Sequence, residues 1–261
     1  MQAFLFVVPL LVFILFAFVL VFSSCEKPEA SAPFSFSSIT PHVIEKNGKE
    51  WFQYWEMEDG DYLWEDASGP VPALQAFRDT LRQVMGQVLL DKTKKNRYQQ
   101  VALPADMDAD SLDNREIVQY DFAGKTRPIN VLEAEVLNYQ AARYPLFSRP
   151  TEFHGFIAAH DSLQRIRFYY GASDAPWPPK PYAIRVHLDS AIQQGWHLKY
   201  HLHNHYNEDT SQYLGVLAPS KADAHYFKML RENYSLPQAL ITNGYHTVVL
   251  DSADFGRFWS H

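Results

Sequence analysis

The chain has 261 residues, 47% of them hydrophobic and 15% aromatic, so it can bury a substantial core and has room for one large or two small domains. Its formal net charge of −7 and the lack of a long basic run argue against a nucleic-acid partner. The single cysteine excludes an intrachain disulfide.

The N-terminus carries an apolar run, residues 3–22, that contains no charged residue and is long enough to cross a bilayer as a helix. Two serines then precede Cys25, and small residues before a cysteine in this position resemble a bacterial lipoprotein signal. Two interpretations stay open for residues 1–25: a signal peptide with lipidation of Cys25, or an uncleaved anchor helix. Both predict a membrane-anchored, extracytoplasmic protein, at the periplasmic face or the cell surface of a bacterium.

A linker, a hairpin and a helix are predicted next. Residues 26–40 are rich in Ser, Pro and Ala without periodicity, which is typical of a linker. Residues 50–57 and 61–64 flank an Asp-Gly pair, which predicts a β-hairpin. Pro72 opens a helix in which apolar residues recur at three- and four-residue spacing.

Two strands follow, over residues 98–103 and 116–122, separated by an acidic turn. Residues 41–127 are therefore predicted to form an α+β region, and its sequence resembles no family that we recognise.

The second half of the chain predicts alternating helices and strands. The predicted elements are a helix over residues 130–144, a strand from Glu152, strands over 165–170 and 182–187, a short helix over 189–194, a strand over 196–206, a helix over 221–233, and a hairpin over 239–242 and 245–250.

Three histidines alternate along one predicted strand: His201, His203 and His205. Side chains two residues apart share a face, so His203 and His205 can each direct an imidazole at one ion. Asp223 is the natural third ligand, because Ser220 fits the N-cap of the following helix and Asp223 then falls in its first turn. Two imidazoles and one carboxylate leave a fourth position for water, as in hydrolytic zinc sites. His201 is a candidate to hydrogen-bond a ligand, or to replace His205 if the register shifts by two.

The order His-x-His, then Pro-Ser-x-x-Asp, with an upstream Glu-x-x-Gly from Glu152 to Gly155, resembles the JAMM metallopeptidases of the MPN/JAB superfamily. The resemblance covers residues 128–261. It implies an α/β (α+β) fold, an MPN/JAB-like mixed sheet flanked by helices, to which residues 41–127 add an N-terminal α+β extension.

The same resemblance implies zinc as the cofactor, with His203, His205 and Asp223 as its ligands. It implies Glu152 as the general base that activates the zinc-bound water, and Ser220 as the residue that helps to stabilise the oxyanion. The implied reaction is hydrolysis of a peptide or isopeptide bond in a peptide or protein substrate.

A non-catalytic MPN-fold binding or scaffold module, tethered to the membrane, is the alternative. Two departures from the family pattern favour it. Tyr206 stands where the family usually has Pro, and the loop from His205 to Ser220 is several residues longer than usual.

Overall fold

The computed structural model describes residues 35–66, 79, 83, 124–143, 151–175, 177–205, 217 and 219–255. Within these residues, eight strands form one mixed sheet and three α-helices flank it. The predicted α/β (α+β) class, a mixed sheet flanked by helices, is confirmed.

The strands are β1 (His42–Lys46), β2 (Glu50–Glu58), β3 (Lys125–Pro128), β4 (Phe153–His160), β5 (Arg165–Ser173), β6 (His197–Asn204), β7 (Gln238–Thr242) and β8 (His246–Asp251). The α-helices are α1 (Val131–Arg143), α2 (Tyr182–Gln193) and α3 (Lys221–Tyr234), and short 3-10 helices lie at Phe36–Ser38, Asp61–Leu63 and Asp161–Leu163. The strand order is β1-β2-β5-β4-β6-β7-β8-β3. β6 and β7 are parallel and the other neighbouring pairs are antiparallel.

Alternation along the central strands gives the sheet two apolar faces. On the α2–α3 face, Tyr169 of β5 packs in one core cluster with Ile184 of α2 and Phe227 of α3. On the α1 face, Trp55 of β2 lies against Tyr139 of α1, with ring centroids 5.0 Å apart. The sheet is therefore covered by helices on both sides, which leaves its strand ends as the places where polar chemistry can reach solvent.

The sheet runs across the boundary between residues 41–127 and 128–261. β2 pairs along its whole length with β5, and β1 pairs with the other edge of β2. These two strands therefore extend the sheet of the C-terminal part of the chain.

The predicted hairpin at Asp59-Gly60 is wrong. Residues 61–63 form a 3-10 helix, and β2 pairs instead with β1 and β5. Gly60 has φ −91°, whereas the tight hairpin turns that favour Asp-Gly need a positive φ. The Asp59 carboxylate accepts hydrogen bonds from Trp64 Nε1 and Lys199 Nζ, both at 2.9 Å, and so holds the chain after β2 against β6.

The predicted strand over residues 182–187 is also wrong. These residues form the first half of α2, which takes in most of the short helix predicted over 189–194. The buried residues are Ile184, Leu188 and Ala191, at the four- and three-residue spacing of one helical face. In residues 182–187 apolar and polar positions also alternate. A stretch of six residues is too short to distinguish this alternation from the helical period.

The other predicted elements within the described residues are confirmed. The helix over 130–144 is α1, the strand over 165–170 lies in β5, the strand over 196–206 contains β6, the helix over 221–233 is α3, and the hairpin over 239–242 and 245–250 is β7 and β8. The strand predicted from Glu152 begins one residue later.

Several predictions from the N-terminal half lie outside the described residues. They concern the apolar run 3–22, Cys25, the strands over 98–103 and 116–122, and all of the helix from Pro72 except residues 79 and 83, which are helical. Among the residues that are described, no helix combines the length and the apolar character needed to cross a membrane.

The last residues of the predicted linker, residues 26–40, pack in the hydrophobic core. Phe36 is 1% exposed. Its ring centroid lies 4.4 Å from that of Trp55 and 5.3 Å from that of Phe168. The segment before β1 is therefore anchored on the α1 face.

We expect Phe36→Ala to lower the free energy of unfolding by about 3–5 kcal/mol, because it leaves a cavity in this aromatic cluster. Urea unfolding measures the loss. Leu163→Ala, at a side chain that is 56% exposed, is the control and is expected to change stability by less than about 0.5 kcal/mol. Equal effects of the two variants would show that the segment before β1 adds nothing to the core.

Candidate metal centre

The candidate metal centre lies where β6 ends and α3 begins. His203 is the register partner of His154 on β4, and β6 ends one residue later. The backbone N–H of His205 still donates to the Thr242 carbonyl at 2.9 Å, which prolongs the contact with β7. His205 therefore stays extended, and its imidazole shares the α2–α3 face with that of His203.

A capping box fixes Asp223 in the first turn of α3. The Ser220 hydroxyl accepts from the Asp223 N–H at 3.1 Å, and Asp223 Oδ2 accepts from the Ser220 N–H at 2.7 Å. The Ser220 hydroxyl also donates to Asp223 Oδ2 at 2.7 Å. These reciprocal bonds hold the carboxylate at the helix N-terminus, facing the end of β6.

His203, His205 and Asp223 form a cluster that could hold a metal ion. His203 Nε2 lies 2.9 Å from His205 Nε2 and 3.3 Å from Asp223 Oδ1, and His205 Nε2 lies 3.2 Å from Asp223 Oδ2. Ligand atoms bound at about 2.0–2.1 Å to one tetrahedral ion lie about 3.3 Å from each other. The three side chains therefore need only small movements to share one ion.

The electrostatics of the cluster suit a divalent cation. His203 is 2% exposed and the Asp223 side chain 21%. Burial opposes ionisation of Asp223, but the adjacent imidazoles of His203 and His205 outweigh it and hold the pKa of the carboxyl well below its usual range. A metal ion would bind the two imidazoles in their neutral form, so the three ligands would bring a charge of about −1 to a divalent ion.

His201 lies in the core beside the cluster and is fully buried. Its Nε2 lies 3.1 Å from His154 Nδ1, and its Nδ1 has no hydrogen-bond partner among the described residues. Burial, with the nearby imidazole of His203, lowers the pKa of His154 to about 3, and burial beside His154 lowers the pKa of His201 well below its usual range. Both imidazoles are therefore neutral at ordinary pH.

The cluster that could hold an ion contains His205 and not His201, so the structure has the register in which His203 and His205 lie together. The described hydrogen bond of His201 goes to His154 rather than to a residue of this cluster. The pairing of His154 with His201 depends on the register of β4 on β6, which the sequence alone does not show.

Glu152 is half-buried and lies one residue before β4. If the antiparallel register of His154 with His203 is carried two residues further, Glu152 lies opposite His205 and on the same face. The position of Glu152 in the fold therefore suits the role that the family resemblance implies for it.

Ser220 has a role that the sequence did not indicate. The proton of its hydroxyl goes to the Asp223 carboxylate, so this side chain orients a ligand. Its predicted role at the oxyanion requires the hydroxyl to rotate away from Asp223.

Comparison with family models, with curated proteins and with solved structures finds no match to this chain. Membership of the JAMM family therefore stays a prediction that rests on the motif residues and their arrangement.

We expect the metal-free protein to lose stability as the pH falls below about 6.5. The pKa values of His154 and His201 are lowered in the folded state, so below that pH the unfolded chain binds protons that the folded chain does not. Their contribution is complete above the unfolded pKa and decreases as the pH falls toward the folded one.

Urea unfolding between about pH 7.5 and about pH 5.5 tests this dependence. His154→Phe removes one of the two groups and should make the dependence shallower, whereas Leu163→Ala should leave it as in the wild type. An unchanged slope in His154→Phe would contradict the assignment.

Proposed function

We propose that this protein is a zinc-dependent hydrolase of peptide or isopeptide bonds, of the JAMM type. The observation that carries the proposal is the cluster of His203, His205 and Asp223, whose ligand atoms lie close to the spacing of a tetrahedral site. The motif order from Glu152 to Asp223 in the sequence supports the proposal.

The donor set fits zinc. Two neutral imidazoles and one carboxylate are ligands that zinc binds in hydrolytic enzymes, and Asp223 supplies the negative charge. When bound, zinc supplies Lewis acidity and lowers the pKa of a coordinated water toward neutrality. A ligand set without thiolate also suits an oxidising compartment.

Each residue of the site then has a task. His203, His205 and Asp223 would hold the ion, and the Ser220 N–H keeps the Asp223 carboxylate in place. Glu152 takes the proton of the attacking water and delivers it to the leaving amine. Ser220, with its hydroxyl turned, helps to stabilise the oxyanion of the reaction.

The apolar run 3–22 and Cys25 support a protein tethered to a membrane, by a lipid on Cys25 or by an uncleaved helix. The folded part then lies outside the cytoplasm. Its substrates are peptides or proteins of the cell envelope, and ubiquitin-like tails are disfavoured by that location.

The rival proposal is an MPN-fold binding or scaffold module on the same tether. Tyr206 and the long segment before Ser220 favour it, since both change the substrate side of the site relative to the family pattern. Two measurements separate the proposals.

We expect the full-length protein, purified in detergent and supplied with zinc, to carry about one zinc per chain. Elemental mass spectrometry measures the content, and His203→Ala with His205→Ala should abolish it. His197→Ala, on the same strand but with a 51% exposed side chain, is the matched control and should keep the metal. A wild-type protein that binds no zinc would sink the hydrolase proposal.

We expect Glu152→Gln to keep its zinc and to lower peptide cleavage by about 10²- to 10⁴-fold, because it removes the proton acceptor. Cleavage of a fluorescence-quenched peptide library measures the rate. Glu58→Gln, at an exposed residue that ends β2, should cleave as the wild type does. A zinc-loaded wild type that cleaves no peptide of the library would favour the scaffold.

A further inference from the structure

We propose that Asn204 is a positioning residue that fixes Glu152 against the two histidine ligands, an inference that rests on the proposed function. Asn204 stands between His203 and His205 in the sequence, and alternation turns its side chain to the opposite face of the sheet. It is fully buried. It therefore acts from the α1 face, where it touches neither the metal nor the substrate.

The Asn204 side-chain amide forms hydrogen bonds to the backbone on both sides of Glu152. Its Oδ1 accepts from the Phe153 N–H at 2.8 Å, and its Nδ2 donates to the Thr151 carbonyl at 2.9 Å. Thr151 and Phe153 are the immediate neighbours of Glu152, so one planar amide fixes the peptide groups that flank it.

The two hydrogen bonds of the Asn204 amide begin where the backbone pairing of β4 with β6 ends. The last register pair of β4 with β6 is His154 with His203, and β4 itself begins at Phe153. A side-chain amide offers the same donor and acceptor as a peptide group. Asn204 thus continues the pairing of β4 with β6 past the end of the ladder, to the position of Glu152.

A second hydrogen-bond chain, from α1, holds the side chain of Thr151. Gln140 Nε2 donates to Thr151 Oγ1 at 2.7 Å, and Gln140 Oε1 accepts from the Tyr170 hydroxyl. Gln140 and Thr151 are both buried. The residue before Glu152 is therefore fixed by β6 and α1 together, as a rigid base for a catalytic side chain.

Rigidity matters here because proton transfer is efficient only over a narrow range of donor–acceptor distances. A general base must come within about 2.6–3.2 Å of the atom whose proton it takes. A displacement of about 1 Å can cost about 10²-fold in rate. Because Asn204 lies between the two candidate histidine ligands in one extended segment, a movement of that segment carries Glu152 with it and preserves its position relative to both imidazoles.

The test uses the full-length protein in detergent with Co²⁺ in place of zinc, since the visible spectrum of Co²⁺ reports the groups around the ion. We expect Glu152→Gln to change the spectrum. Asn204→Ala should change it in the same direction, with the cobalt content unchanged at about one per chain. The double variant should have the spectrum of Glu152→Gln alone, because Asn204 acts only through Glu152.

On the peptide that the wild type cleaves, Asn204→Ala should lower kcat by about 10- to 100-fold and leave KM unchanged. Asn204→Asp should recover most of the rate, because a buried carboxyl that faces a carbonyl keeps its proton and can both donate and accept. Gln53→Ala, another buried amide on the α1 face, is the matched control and should match the wild type in spectrum and rate.

The outcomes separate the two proposals. If Glu152→Gln leaves the cobalt spectrum unchanged, the proposed function fails. If Glu152→Gln changes it and Asn204→Ala does not, or if the two changes add in the double variant, the role of Asn204 is overturned while the proposed function stands. If Asn204→Ala does not fold, Asn204→Ser replaces it in the test. The short serine side chain cannot reach both the Phe153 N–H and the Thr151 carbonyl.

Discussion

The parallel pairing of β6 with β7 is the constraint on which the metal centre depends. Parallel neighbours cannot be joined by a tight turn, so the chain must leave the end of β6 and return through a crossover that contains α3. That crossover starts α3 close to the end of β6, where His203 and His205 lie. The third ligand reaches the cluster because the topology brings a helix N-terminus to that place.

The Asp223 carboxylate has three partners at once, Ser220, His203 and His205. Oδ2 accepts the N–H and the hydroxyl of Ser220, which caps α3, whereas Oδ1 lies 3.3 Å from His203 Nε2. A helix cap contributes about 1 kcal/mol, and it orders the ligand before any metal binds. Pre-ordering of this kind raises metal affinity because less conformational freedom is lost on binding.

The two faces of β6 carry side chains with different partners. Its alternate histidines face α2 and α3, and at least two of the four imidazoles there, those of His154 and His201, are kept neutral by burial. Its Asn204 faces α1 and binds the backbone around Glu152. Because side chains alternate along a strand, β6 presents the candidate cluster on one face and binds the backbone around Glu152 from the other, so its register with β4 determines both arrangements.

The sequence by itself determined the mixed α and β class, the helices α1 and α3, the strands around the site and the trio His203, His205 and Asp223 that could hold an ion, because helical period, capping residues and alternate histidines act over short stretches. It failed at residues 182–187, where six alternating positions fit a strand and only burial against the sheet selects a helix. It failed at Asp59-Gly60, where Trp64 and Lys199 bind the aspartate and turn the chain away from a hairpin. Only the tertiary structure decided that β1 and β2 join the sheet, that His201 pairs with His154, and that Asn204 binds both sides of Glu152. Those features depend on strand order and register, which arise from contacts between residues far apart in the sequence and leave no local pattern to read.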